Sequence, residues 1–171
     1  AVDVKLSENP DGLVATDLDG DGVAELVCMS RYDTAQILRV TRGATPALAV
    51  VSVPEGLGRG LWAKLEVSAF AAGDADGDGK GEGLIARKGF ARAVALDPAT
   101  GDVRILDQFN AAASEDEVVA AAAIDVDGDK VPEIVLANKT QGELAILTRG
   151  ADKVYRQTGA VPLPGFGLQG L

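Results

Sequence analysis

Three acidic segments recur along the chain: "DLDGDGVAE" at 17–25, "DADGDGKGE" at 74–82 and "DVDGDKVPE" at 125–133. Each has aspartate at its first, third and fifth positions and glutamate at its ninth. Their first residues are 57 and 51 positions apart. Four like charges in one short turn repel one another, so any account of one segment must serve for all three. The surroundings repeat as well. A short apolar run precedes each loop ("GLVAT", "SAFAAG", "VVAAAAI") and another follows it ("LVCMS", "GLIAR", "IVLAN"). Then come "AQILRVTRG", "ARAVALDPATG" and "ELAILTRG", and a fourth run closes each unit: "LAVVSV", "VRILDQF" and "KVYRQTG". Self-similarity at this period signals a repeat architecture.

The runs are mostly four to eight residues long, β-branched or alternating, and bounded by Gly, Asp, Asn and Pro, which is strand patterning. "DPATG" at 97–101 and "TRGA" at 148–151 read as hairpin turns. The Ala-rich "AAASEDEVVAAAAI" has helical propensity, and a short helix near 112–119 is its alternative reading. Its second half is read as a strand because the matching segments are strands. The fold class is therefore all-β: three four-stranded antiparallel repeats, at about 11–56, 66–110 and 117–160. Four strands in some 50 residues suit a β-propeller blade, whose faces are buried by neighbouring blades. Small residues on the first strands, Ala71, Ala72 and Ala120 to Ala123, suit a crowded inner channel.

Alternating aspartates make sense if a cation neutralises them. Carboxylates at positions 1, 3 and 5 supply hard oxygen ligands to calcium, position 7 can add a backbone carbonyl, and the position-9 glutamate closes the shell. The expected ligands are Asp17, Asp19, Asp21, Val23 and Glu25; Asp74, Asp76, Asp78, Lys80 and Glu82; and Asp125, Asp127, Asp129, Val131 and Glu133. Glycine at position 4 (Gly20, Gly77, Gly128) permits the tight backbone. Position 6 is Gly22 and Gly79, then Lys130. If that position needs positive φ, Lys130 costs on the order of 1 kcal/mol, and the third site is expected to be the weakest. An EF-hand is excluded, since position 12 is Cys28, Ile85 or Leu136 rather than glutamate. Magnesium prefers fewer carboxylates. Zinc is disfavoured, because the chain has no His and one Cys.

The pattern D-x-D-G-D-G-x-x-E between two strands, repeated every 50 to 60 residues, resembles the FG-GAP / VCBS repeat family, the calcium-loop blade of integrin α-subunit heads and of many bacterial secreted proteins. "FAAGDADGDGKGEGLI" at 70–85 is the nearest match. The resemblance spans nearly the whole chain as three units. It implies a propeller of six to eight blades, about one Ca2+ per repeat, an extracellular setting (secreted or cell-surface) and a binding or adhesion role. By the resemblance, the metal positions fall on the aspartates and glutamates already named; Lys130 departs from the pattern. "AVDVKL" at 1–6 resembles the last strand of a preceding blade, and 161–171 the start of a further one. The expected companions are further blades of the same protein or a second copy of the chain. An isolated three-blade piece should associate through its apolar faces.

The charge supports these readings. The chain carries 26 acidic and 16 basic residues, a net charge of −10. Twelve of the acids lie in the three loops, so the remainder is close to neutral. No basic stripe is present to neutralise phosphates, so a nucleic-acid partner is not expected. No apolar run approaches the roughly 20 residues of a membrane span. The opening "AVDVKL" has no basic start or apolar h-region; a mature secreted chain or an excised fragment would open the same way. Without His there is no histidine base and no Ser-His or Cys-His pair, and no phosphate-cradling glycine loop occurs, so enzymatic activity is not expected. Two rivals stand beside the binding or scaffold reading. One is the propeller domain of a secreted polysaccharide-active enzyme. The other is a glycan-binding lectin, against which Trp62, Tyr32 and Tyr155 occupy non-equivalent places. Cys28 reads as a small core residue. Trp62, with Leu61 in an inter-blade linker, reads as packing, with stacking on a sugar as the alternative. Arg31-Tyr32-Asp33, Arg87-Lys88 and Glu115-Asp116-Glu117 read as surface residues.

Overall fold

The structure, a computed structural model, describes residues 4–41, 43, 45–51 and 57–164. It is built from three four-stranded antiparallel sheets, each in simple sequential order. The first sheet contains β1 (Gly12–Thr16), β2 (Glu25–Met29), β3 (Gln36–Thr41) and β4 (Ala47–Val51). The second contains β5 (Phe70–Gly73), β6 (Glu82–Arg87), β7 (Phe90–Leu96) and β8 (Val103–Asn110). The third contains β9 (Val118–Ile124), β10 (Glu133–Asn138), β11 (Glu143–Arg149) and β12 (Tyr155–Pro162). The Ala-rich segment is thus a strand in its second half, and its first half forms turns, not a helix. Residues 4–6 form no strand, and 1–3 lie outside the described residues, as do 165–171.

The three sheets share a burial gradient that follows from their sequences. The second strands, "ELVCM", "EGLIAR" and "EIVLAN", are apolar almost throughout and buried almost throughout. A strand covered on both faces reads as a continuous hydrophobic run. The fourth strands alternate weakly and are mostly exposed. The hairpins close as their turn residues dictate. In "DPATG" the Asp97 carboxylate accepts the amides of Ala99 and Thr100, both at 3.0 Å, and Gly101 takes φ 74°. This aspartate turn is self-capped, and those hydrogen bonds hold the Asp97 carboxyl below its usual range.

The chain divides into two compact units, Ala1–Val67 with Ala95–Arg104, and Ser68–Val94 with Ile105–Leu171. In the first, Leu18, Val27, Met29, Ile37, Leu65 and Leu96 are buried. The segment read from sequence as a linker folds here into a short helix, α1 (Leu57–Trp62). Its glycines, Gly58 and Gly60, disfavour a helix. The burial of Leu61 and Trp62 outweighs that: Trp62 is 1% exposed, and its carbonyl accepts the Ala35 amide at 2.8 Å. Trp62 is therefore a packing residue and is not available to stack on a sugar.

In the second unit, a core of Leu84, Ala93, Phe109, Val118, Ile134, Leu136 and Leu147 joins the second and third sheets, with Phe109 edge-on to Tyr155 at 5.1 Å. Strands β5 and β9 lie against each other. A Cβ built on Gly73 would stand 3.2 Å from the Ala123 Cβ, so small residues are what allow this approach. Gly89, with φ 81°, is needed for a second reason: a Cβ there would meet the Ser114 carbonyl at 2.7 Å.

Candidate metal centre

The three acidic loops join β1 to β2, β5 to β6 and β9 to β10, and the strand register sets their geometry. Glu25 pairs with Thr16, Glu82 with Gly73 and Glu133 with Ile124. In each case the ninth residue faces the residue just before the first aspartate, which returns the glutamate to the head of its own loop. There one carboxylate oxygen accepts the amide of position 2: Leu18 at 2.8 Å, Ala75 at 2.7 Å and Val126 at 2.9 Å.

The aspartates fold the loops in the same way. The position-1 carboxylate spans the turn, accepting amides of Asp21 and Gly22 in the first loop, Gly77, Asp78 and Gly79 in the second, and Gly128 and Lys130 in the third. The position-3 carboxylate accepts the amide of position 5 at 3.0–3.1 Å in all three. The position-5 carboxylate accepts the amide of position 7, that of Val23, Lys80 or Val131, at 2.7–2.8 Å. Positions 4 and 6 lie in the left-handed region throughout: Gly20 and Gly22, Gly77 and Gly79, Gly128 and Lys130. Lys130, at φ 71°, carries the strain expected of a side chain there, about 1–2 kcal/mol.

These turns bring carboxylate oxygens together. Asp17, Asp19 and Glu25 each offer an oxygen within 4.8 Å of the others, as do Asp74, Asp76 and Asp78, and Asp125, Asp127 and Glu133. Asp21, Glu82 and Asp129 belong to the same loops but fall outside these tight triplets. Exposed acidic turns are common without a metal; the glutamates make these different. Glu25 is fully buried and Glu133 is 3% exposed, and the Oε1 atom of each has no hydrogen-bond partner. A buried carboxylate oxygen left unsatisfied costs about 1–3 kcal/mol or more, which a hard cation in the triplet would offset. Burial is also the main reason why the Glu25 carboxyl is pushed up and that of Glu82 is pushed up to about 7, with the neighbouring aspartates adding to it. The donor set is all oxygen, which fits calcium rather than zinc.

In the second unit, Tyr155 ties two loops to one side chain. Its hydroxyl lies 2.9 Å from the Ala75 carbonyl in the second loop and 3.0 Å from the Pro132 carbonyl in the third, so its single O–H proton is shared between the two acceptors. Arg149 donates to the Asp76 carbonyl. Neither contact was visible in the sequence, since β11 and β12 lie up to 80 residues from the loop they touch.

Another carboxylate changes its reading. The triplet Glu115-Asp116-Glu117 was expected on the surface, and Glu115 and Glu117 are exposed, but Asp116 is fully buried. It accepts Gln141 Nε2 at 3.0 Å, Asn138 Nδ2 at 2.9 Å and the Ala113 amide at 3.3 Å. The Gln141 and Asn138 amides hold its carboxyl below the usual range. Asp116 is thus a structural anchor joining the turn before β9 to the end of β10. Cys28 is buried, and burial pushes its thiol up, which suits a packing residue.

No family model matches this chain, and no curated protein does.

Proposed function

We propose that this chain is a calcium-stabilised segment of a β-propeller of the FG-GAP / VCBS type, serving outside the cell as a binding, adhesion or scaffold module. The observation that carries the reading is the buried loop glutamate. In the first and third loops one of its oxygens is held by a loop amide and the other has no hydrogen-bond partner, while the carboxylate lies with those of two aspartates. Three loops with one hydrogen-bond pattern, each between the first and second strands of a four-stranded sheet, support the repeat reading.

Asp17, Asp19, Asp21 and Glu25 would hold one ion, Asp74, Asp76, Asp78 and Glu82 a second, and Asp125, Asp127, Asp129 and Glu133 a third. The chemistry calcium supplies is neutralisation. The protein's own part is to preorganise the oxygens: position-1 carboxylates pin the turn, and left-handed residues at positions 4 and 6 set its curvature. Binding that requires the folded loop adds to folding stability by mass action. The propeller reading further implies that additional blades, in the same protein or in a second copy, cover the faces of these sheets.

Thermal unfolding in millimolar calcium and in excess chelator tests the metal reading. A midpoint higher by about 10 °C or more in calcium is expected, the scale of a few kcal/mol for a chain of this size. Equal midpoints would reject it.

A further inference from the structure

The three loops differ in what lies over them. The residues that pair just after each loop glutamate are Leu26 with Leu38, Gly83 with Val94, and Ile134 with Leu147. The next residue along the third strand is therefore Arg39 in the first sheet, Ala95 in the second and Thr148 in the third. Arg39 Nη2 lies 2.6 Å from Asp19 Oδ2, and Arg39 Nε lies 3.7 Å from Glu25 Oε1. Both carboxylates belong to the tight triplet of the first loop, and both are almost completely buried, with side chains 2% and 0% exposed. The Arg39 side chain is itself only 26% exposed. It pairs closely with Asp19 but stops short of hydrogen-bonding Glu25, leaving both Glu25 Oε1 and Arg39 Nε without a hydrogen-bond partner. The other cations near the loops act differently. Lys80 is largely exposed and 4.0 Å from Asp78, and Arg149 reaches a backbone carbonyl of the second loop rather than a carboxylate.

We propose that Arg39 is a built-in counter-cation of the first loop, set over two of its metal-ligating carboxylates, so that this loop binds calcium more weakly than the second and depends on it less for its fold. The inference rests on the calcium reading above. A fixed positive charge a few ångströms from the ion's position repels it through a partly buried, low-dielectric site. It also engages Asp19 Oδ2 at 2.6 Å, so that carboxylate would be a poorer donor to calcium. Without calcium, the same charge offsets the mutual repulsion of Asp17, Asp19, Asp21 and Glu25. The first loop is then held by a half-buried internal cation, whereas the cation on the carboxylates of the second loop, Lys80 beside Asp78, is largely exposed.

Calcium titration by calorimetry of the whole chain, of Arg39→Met and of Arg39→Lys tests this, with circular dichroism as the check on folding. In Arg39→Met one binding step should tighten by about tenfold or more, while the others stay within twofold. Adding Glu25→Gln should abolish the tightened step, which places it in the first loop. Arg39→Lys should stay nearer the native affinities. The Met variant should also lose more thermal stability in chelator than in calcium. If the native chain binds calcium and every step is unchanged in Arg39→Met, the inference is overturned and the calcium reading stands. If no chain binds calcium, both fall. Should Arg39→Met fail to fold in chelator yet fold in calcium, the counter-cation role is supported; Arg39→Gln, which keeps a polar amide near Asp19, then carries the affinity measurement.

Discussion

Asp116 and Glu133 are both buried carboxylates of the second unit, and they are finished in opposite ways. Asp116 accepts hydrogen bonds on both oxygens, from Gln141 on one and from Asn138 and Ala113 on the other. Glu133 accepts one, from Val126; its Oε1 has no hydrogen-bond partner, and its carboxylate lies with those of Asp125 and Asp127. Burial alone would penalise either charge. The first is satisfied by the protein's own amides and is complete as it stands. The second is half satisfied and surrounded by like charge, an arrangement that makes sense where a cation completes it. The lesson is that the partners of each oxygen, rather than the density of acidic residues, separate a structural carboxylate from a metal ligand.

Removing Asp116 should have the largest effect. Asp116→Ala leaves the buried Asn138 amide without its acceptor and should cost about 2–3 kcal/mol, equally in calcium and in chelator. Denaturant melts in both conditions check this, and a calcium-dependent loss would blur the contrast. Glu133→Gln should behave the other way. In calcium it should remove about 2 kcal/mol of ion-linked stability, the scale of a ligand at roughly 30 times its dissociation constant. In chelator it should be neutral or stabilising, because one of four repelling charges is gone. A next, smaller effect concerns the backbone under the third loop. Lys130→Gly relieves a side chain held at φ 71° and should stabilise the chain by about 1 kcal/mol. It should also tighten the third calcium step, while Gly79→Lys should do the reverse in the second loop.

The pH dependence of the metal-free chain sharpens the comparison by sign. The Asp116 carboxyl is lowered in the folded state, so its contribution is present above the ordinary aspartate range and is lost as pH falls through the folded value. The Glu82 carboxyl is raised from 4.5 to about 7, so the folded state holds the extra proton, and stability is lost as pH rises through that window. Chemical melts in chelator across pH 3–8 should therefore show a shoulder of declining stability between about 4.5 and 7 that Glu82→Gln removes. Asp116→Asn should leave that shoulder in place and weaken the loss below pH 4.

Much of this was legible in the sequence for a physical reason: strand alternation and left-handed turn positions are local properties. Among the described residues the first three strands of each sheet follow the apolar runs, and Lys130 takes a positive φ as Gly22 and Gly79 do at the same loop position. What escaped was non-local. Arg39 reaches the first loop only through the β2–β3 register, and Tyr155 reaches two loops from β12. Asp116 looks like its neighbours Glu115 and Glu117 until Asn138 and Gln141 are folded onto it. The helix α1 was hidden by its glycines, which report propensity but not the burial of Trp62.

The most direct test of the central claim is a native mass spectrum of the whole chain, recorded in millimolar calcium and again after chelation. Three calcium ions per chain, lost on chelation, is the predicted result. A chain of the same mass in both spectra would mean that the three loops are acidic turns that hold no calcium.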